Sequence, residues 1–494
     1  DTSADVRLNL ATLLGRVESE EARKLLVNLA TAEVRRKDPD WRVRVQLVRA
    51  AGVHVRRDGS VAALLLEGLN DANDHVVIAA CMAFPGDAPT SRSMDLRDSV
   101  RSVLWGLVRS ARSRPPDVAG EAVVALLRFR PEEADDVLAF SMTADLPVRM
   151  RSKILEALSL APTPGGWRAM RSAWEDPTIA VAMAGWDHSR RFFRDGALEV
   201  IAPSGEDRRA LSDAVFGGVV RALRQNDMGL STVVSSLLTD SSTVALLDAG
   251  GHRATLVDSL ASSLERMKIP DDVEAIQSAV QALGYLGGPR AINALEGALE
   301  SPDRTVVEEA VKALTKATGV DRRSSIQPAG PPAHADYDWQ LLRSLGPRPM
   351  ADIVTDRGTV TLDLLPNEAP FTVVSFVRLA RAGFFDGLTF HRVVPNFVVQ
   401  GGDPRGDGWG GPGYALRTES SPMSYERGSV GMASAGNDTE GSQFFVTHVP
   451  TPHLDARYTI FARVVRGMDV VDRLQVGDTI KSVRIRGQRG ARSR

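Results

Sequence analysis

Over most of its first 320 residues the chain repeats one arrangement of apolar and polar positions. In SPDRTVVEEAVKAL (301–314), a turn of Ser301, Pro302 and Asp303 precedes Val306, Val307, Ala310, Val311 and Leu314. That is the i, i+3, i+4, i+7 spacing of an amphipathic helix. DDVEAIQSAVQALGYLG carries the same pattern upstream, with Ala279 and Leu283 each 31 residues before Ala310 and Leu314. Looser copies start at 4, 38, 71, 145 and 175; Val43 and Val76 lie 33 apart, Val148 and Ile179 31 apart. A period of 31–37 residues predicts an all-α solenoid of stacked helix pairs over 1–320. Residues 185–270 fit the period poorly and are expected to hold irregular or lengthened repeats.

The recurring turn–Val–Arg–Ala–Leu wording resembles HEAT repeats or their short bacterial relatives, and this resemblance implies a concave surface that grips a partner protein. The plainer reading is a spacer with no partner of its own. Trp41, Trp105, Trp167, Trp174 and Trp186 are read as packing between repeats.

Near 320 the pattern stops. DRRSSIQPAGPPAHADYDW is rich in Pro, Gly, Ser and Ala, and 321–348 reads as a linker. From 349 the period changes to 2. MADIVTDRGTVTLDLL holds two alternating strands around Asp356-Arg357-Gly358, a hairpin signal. NEAPFTVVSFVRLARAG reads as a helix with Pro370 in its first turn and Gly383 at its end. Short β runs broken by Gly/Pro loops follow: LTFHRVV, NFVVQGG, GSVGMAS, SQFFVTH and YTIFARVV. A short helix near 467–475 and the strand SVRIR close the region. The expectation for 349–487 is an antiparallel β-barrel with two helices, followed by a basic tail at 488–494.

Composition changes this picture little. Of 494 residues, 43% are hydrophobic and 25% charged, as in ordinary globular protein. A net charge of −2 gives no general case for nucleic acid as partner. The basic end KSVRIRGQRGARSR reads as a solvated tail. No stretch of about 18 apolar residues marks a membrane span. The lone Cys81 sits in VVIAACMAF, reads as core, and has no internal disulfide partner. No Cys/His cluster has metal-ligand spacing. Arg outnumbers Lys, which suits a GC-rich bacterial gene. The chain begins at Asp1, so the compartment, bacterial cytoplasm or periplasm, stays open.

One stretch asks for chemistry. FHRVVPNFVVQGGDP (390–404) sets His391 and Arg392 against the apolar run 393–399, where a strand that only builds core needs no cation. Together with GMASAGNDTEGSQFFVTH, HLDARYTIFARVVRGMDVVDRL, GTVTLDLLPNEAPFTVVSF and GFFDGLTFHRV, it resembles the signature blocks of cyclophilins, peptidyl-prolyl cis–trans isomerases. The resemblance covers about 349–487, in the family's order.

That resemblance implies a mechanism without nucleophile, metal or cofactor. Rotation about an X–Pro bond faces about 18–20 kcal/mol because the amide is conjugated. When it twists, the prolyl nitrogen becomes pyramidal and accepts a hydrogen bond. A donor held over it favours the transition state over the ground state, while an apolar pocket orients the ring. A 10⁶-fold acceleration asks for only about 8 kcal/mol.

By the resemblance, Arg392 is the catalytic arginine, Gln400 orients it and contacts the peptide, and His391 lines the site. Phe397, Val398, Phe445 and Leu454 wall the proline pocket. Ala433, Ser434 and Ala435 anchor the extended peptide by backbone, with Gln443 beside them and Gly408 lining the site. Val398 stands where Met is more usual and Ser434 where Asn is. His453 replaces the Trp of cyclosporin-sensitive members, which implies weaker binding of such inhibitors. Tyr458 stands where many members have His.

Rival motif readings are poor. GDGWGGPG has phosphate-loop glycines but does not join a strand to a helix. Ser442 with His448, His453 and Asp455 lacks the context of a hydrolase nucleophile. The expected partners are proline-containing clients, with a further protein on the solenoid. A rival of another class is a scaffold that binds proline segments without turnover. Retention of Arg392, Phe397, Gln400 and Phe445 together favours the enzyme.

Overall fold

Acidic and amide side chains start several helices of the first half. Asp40 accepts from the Arg42 N–H at 2.9 Å ahead of the Trp41–His54 helix, and Asn73 accepts from His75 N–H at 2.9 Å ahead of Asp74–Ala83. Ser204 and Asp207 form a reciprocal capping box at the start of Gly205–Arg224. The turn-then-apolar wording of the sequence is thus a cap followed by a buried stripe. The computed structural model describes residues 3–326 and 338–486, apart from 18, 27, 29–37, 56–60, 87–93, 144, 270 and 347. The basic tail at 488–494 and the linker's 327–337 lie outside the described residues.

The chain divides into two units, one of residues 1–225 with 236–256 and one of 226–235 with 257–494. The first is helical. Its helices are tied by ion pairs between residues 27 to 32 positions apart: Arg7 to Asp38, Arg44 to Asp71, Arg101 to Glu133 and Arg149 to Asp117. The recurring arginine of the sequence pattern therefore reaches a carboxylate in a neighbouring helix or turn. Trp105, Trp167, Trp174 and Trp186 are buried; Trp174 and Trp186 stack with centroids 4.0 Å apart, and Trp41 is half-buried against His75. Cys81 is fully buried, and burial pushes its thiol pKa up. Over its described residues the poorly periodic 185–270 is helical too, with lengths from five residues (Ala197–Ile201) to twenty (Gly205–Arg224).

The second unit holds the helices Val273–Leu286, Pro289–Ala298 and Arg304–Thr318 and an eight-stranded antiparallel sheet. The strands are β1 (Met350–Thr355), β2 (Gly358–Leu364), β3 (Arg392–Val394), β4 (Val398–Gly401), β5 (Ser429–Met432), β6 (Phe444–Thr447), β7 (Ile460–Arg466) and β8 (Ile480–Arg486). Their order is β3-β4-β6-β5-β7-β2-β1-β8. The segment before β3 then bonds the start of β8, through Phe390 N–H to Asp478 O and Ile480 N–H to Leu388 O, so the sheet curls back on itself. Helices Pro370–Arg381 and Met468–Val471 accompany it.

The β runs LTFHRVV and NFVVQGG are β3 and β4, paired across a turn in which Asn396 takes a positive φ of 53°. One expectation is corrected. The expected linker is not structureless, since Asp338 caps a helix at Trp339–Leu345. Leu345 is buried in the sheet's core and Asp338 pairs with Arg378 at 3.1 Å. Seven residues show no period, and it is tertiary packing that holds them helical.

Candidate active site

Alternation along the strands creates two apolar clusters. Val399 and Phe444 point to the main core with Phe376, Phe385 and Phe461. Their neighbours Val398 and Phe445 point the other way, to a small cluster with Tyr425, Leu454 and Ile460, flanked by Phe397, Ala433 and Tyr458. Antiparallel register sets Arg392 opposite Gln400, Gln400 opposite Phe445, Phe445 opposite Gly431, and Gly431 opposite Ile460. Five strands thus contribute one row, with Arg392 and Gln400 at its polar end and Phe445 and Ile460 as the apolar side chains beyond. At Gly431 any Cβ would overlap the Tyr425 hydroxyl and the Phe445 ring, so only glycine lets both sit there.

The polar end of the row is a hydrogen-bonded chain. Arg392 Nη1 donates to Gln400 Oε1 at 3.2 Å, and Gln400 Nε2 donates to Gln443 Oε1 at 3.0 Å. Gln443 Nε2 donates to the carbonyls of Gly408 and Gly410 at 2.8 and 2.9 Å. The guanidinium lies 5.7 Å from the Phe397 ring centroid, exposed at the pocket mouth. Bonded to a glutamine and over an aromatic face, the planar fork is held in place.

Opposite, Ala433 N–H bonds Gln443 O at 2.9 Å and Ala435 N–H bonds Thr439 Oγ1 at 2.9 Å. Ala433 and Ser434 are half-buried and Ala435 is exposed. His453 is exposed and stacks on Phe397 with centroids 5.5 Å apart; Tyr458 meets Phe445 edge-on at 5.9 Å. His391 is half-buried, one residue before β3. The sequence-predicted residues Arg392, Gln400, Gln443, Phe397, Val398, Phe445, Leu454, Ala433, His453 and Tyr458 therefore meet around one pocket and its rim.

Other parts escaped sequence reasoning. Tyr425 is buried, stacks on Phe445 at 5.5 Å and donates to the Thr459 carbonyl at 3.1 Å. It lies in SPMSYERG, a loop with no period to flag it. Buried Asp403 accepts from Arg405 N–H and Gly408 N–H and shapes the glycine loop. Glu440 is fully buried, and burial pushes its pKa up to about 8.

The hydrolase reading fails on geometry. Ser442 donates its hydroxyl to the Gly402 carbonyl at 2.7 Å, and Asp455 accepts from Tyr425 N–H at 2.8 Å. Among the described residues no group of His, Cys, Asp and Glu is placed to hold a metal ion. Among them, too, no single helix is long and apolar enough to cross a membrane.

An apolar pocket rimmed by a fixed guanidinium and a backbone edge is the architecture of a prolyl isomerase site, and the comparisons agree. Residues 350–488 match the family model of the cyclophilin type peptidyl-prolyl cis–trans isomerases. The chain belongs to that family, and this part of it is a cyclophilin-type isomerase domain. It is 47% identical over 137 residues to peptidyl-prolyl cis–trans isomerase B of Bacillus subtilis, covering 27% of this chain and 96% of that protein. It is also 47% identical to the peptidyl-prolyl cis–trans isomerase of Synechococcus elongatus, covering 27% of this chain and 94% of that protein. A crystal structure of a cyclophilin type isomerase from Cryptosporidium parvum aligns over 28% of this chain and 98% of its own, at 29% identity and a TM-score of 0.27.

Proposed function

We propose that this protein isomerises X–Pro bonds in protein clients and thereby assists their folding, with its helical part, a HEAT-like solenoid, recruiting those clients. The observation that carries the catalytic reading is the chain Arg392–Gln400–Gln443 at the mouth of the pocket built on Phe445. In this reading the client lies extended along 433–435, where backbone groups at a strand edge align it. Its proline ring enters between Phe397, Val398, Phe445 and Leu454, which releases water from apolar surface and fixes the ring.

The peptide plane then turns while the ring stays fixed. Gln400 holds the Arg392 fork so that an N–H points at the prolyl nitrogen as its lone pair leaves conjugation. That hydrogen bond is stronger in the twisted state, so it lowers the barrier. No proton moves and no covalent bond forms. His391 lines the site and transfers nothing. Gln443, tied to Gly408 and Gly410, sets the position of Gln400, and His453 and Tyr458 extend the rim.

The helical part supports the recruiting reading by its period and by the ion pairs that tie its helices to one another. Exchange between cis and trans in a short Ala-Pro peptide, followed by NMR, tests the proposal. Line broadening that needs the intact protein and falls steeply in Arg392→Ala establishes turnover through that arginine. Binding shifts without faster exchange would instead make the protein a scaffold for proline segments.

A further inference from the structure

The peptide groove has a second wall. Within the second unit, a cavity of about 600 Å³ is lined on one side by Gln400, Gly408, Gln443 and residues 433–435. Its other side is formed by residues 226–228, 271–274 and Asp303, from the ends of helices in the repeat region. The two sides are tied by an ion pair, Arg405 Nη1 to Asp227 Oδ2 at 3.0 Å. The ligand of this cavity is indicated independently of the second wall, because the first wall belongs to the isomerase domain and carries its peptide edge.

The walls differ in charge. The groove side offers amides and backbone at Gln400, Gln443, Ala433 and Ser434, with Asp438 as its one carboxylate and Arg405 as its one cation. The helical side offers Asp227, Asp271, Asp272, Glu274 and Asp303. Among the described residues Arg405 is the one basic side chain lining the cavity, and it already meets Asp227 and Asp407. Asp272 and Asp303 accept backbone N–H groups of their own turns. Asp271 is exposed, and Glu274 is half-buried with its carboxyl held above the usual range by burial. A cation placed beside Glu274 offsets that burial cost.

We propose that the repeat region completes the groove as a specificity wall, and that this isomerase takes X–Pro segments carrying Lys or Arg beside the proline in preference to neutral ones. This rests on the isomerase reading of the first wall. A client threading the cleft keeps its proline at Phe445 and its backbone on 433–435, while a neighbouring basic side chain turns to Asp271 and Glu274. The wall acts on binding and leaves the twisting step to Arg392. Asp271 and Glu274 are positioning residues for the client.

The test uses the full chain and two hexapeptides that share one Ala-Pro bond and differ only in having Lys or Gln on each side of that pair. Dissociation constants come from chemical-shift titration and exchange rates from the same spectra. The Lys peptide should bind about tenfold tighter at low salt, with the advantage shrinking in 0.5 M salt. Asp271→Asn with Glu274→Gln should erase the advantage while the Gln peptide keeps its affinity and exchange rate. Asp271→Lys, at an exposed position, should reverse the preference. Equal affinities in the wild type, or a preference that survives the double variant, overturn the proposal. Exchange accelerated for neither peptide would overturn the isomerase reading, and the affinity ratio would still decide the wall. Binding of neither peptide would overturn both.

Discussion

In the proposed mechanism Arg392 is the residue on which the chemistry turns. Removing a donor aimed at developing electron density costs about 100-fold or more in turnover. Arg392→Ala should therefore lose that much in kcat, measured by NMR exchange, while peptide affinity changes little. Arg392→Lys should not restore it, because an ammonium cannot hold Gln400 and serve the prolyl nitrogen in one planar fork. His453 poses a second question at this scale. It stacks on Phe397 at the rim, where the resemblance places Trp in cyclosporin-sensitive members. His453→Trp should tighten cyclosporin about tenfold in a direct binding measurement, by adding a larger apolar face with an N–H to donate. Glu440 is the residue where pH enters. Its buried carboxyl accepts from Thr459 N–H at 3.3 Å, has a second oxygen without a partner, and feels the charges of Glu419 and Asp438. Its native pKa, about 8, lies above the ordinary 4.5, so the folded state binds the proton more tightly than the unfolded chain. Its contribution is full below about pH 4.5 and is lost as pH rises through 8. Glu440→Gln should remove that slope: between pH 5 and 8 the wild type should lose about 5 °C more in Tm than the variant.

At the scale of elements, close approach decides which substitutions are tolerated. The Val273–Leu286 helix meets Arg304–Thr318 at Gly284, where a Cβ would lie 2.6 Å from the Ala313 Cβ. Gly284→Val should destabilise by about 2 kcal/mol in urea unfolding, since the helices must part to admit the side chain. Much of this scale was legible. The i, i+3, i+4 stripe gave the Arg304–Thr318 helix, and alternation around Asp356-Arg357-Gly358 gave the β1–β2 hairpin. The failures share a cause. The Trp339–Leu345 helix is too short to show a period and is held by the burial of Leu345. Tyr425 joined the pocket unseen, since a loop residue acquires its place only from what packs over it.

For the whole molecule, the proposed division of labour makes a separable prediction. The isomerase relatives named above consist almost wholly of the matched region, 96% and 94% of their lengths. A chain starting at residue 338 should keep exchange activity on a neutral Ala-Pro peptide. It should speed the proline-limited refolding of a protein client less than the full chain does, measured by refolding kinetics at equal concentration. Equal acceleration by both would mean that the helical part recruits no client. What the sequence determined by itself was local: the helical period before 320, the alternating period after 349, and the residue types of the site in their family order. Both periods are written in neighbouring residues, because burial on one face of an element fixes them. The tertiary structure decided the rest: the row of Arg392, Gln400, Phe445, Gly431 and Ile460 across five strands, the Gly431 opening for Tyr425, and the second wall along the groove. Those depend on register and on packing between residues tens to hundreds of positions apart, and no local pattern records such distances.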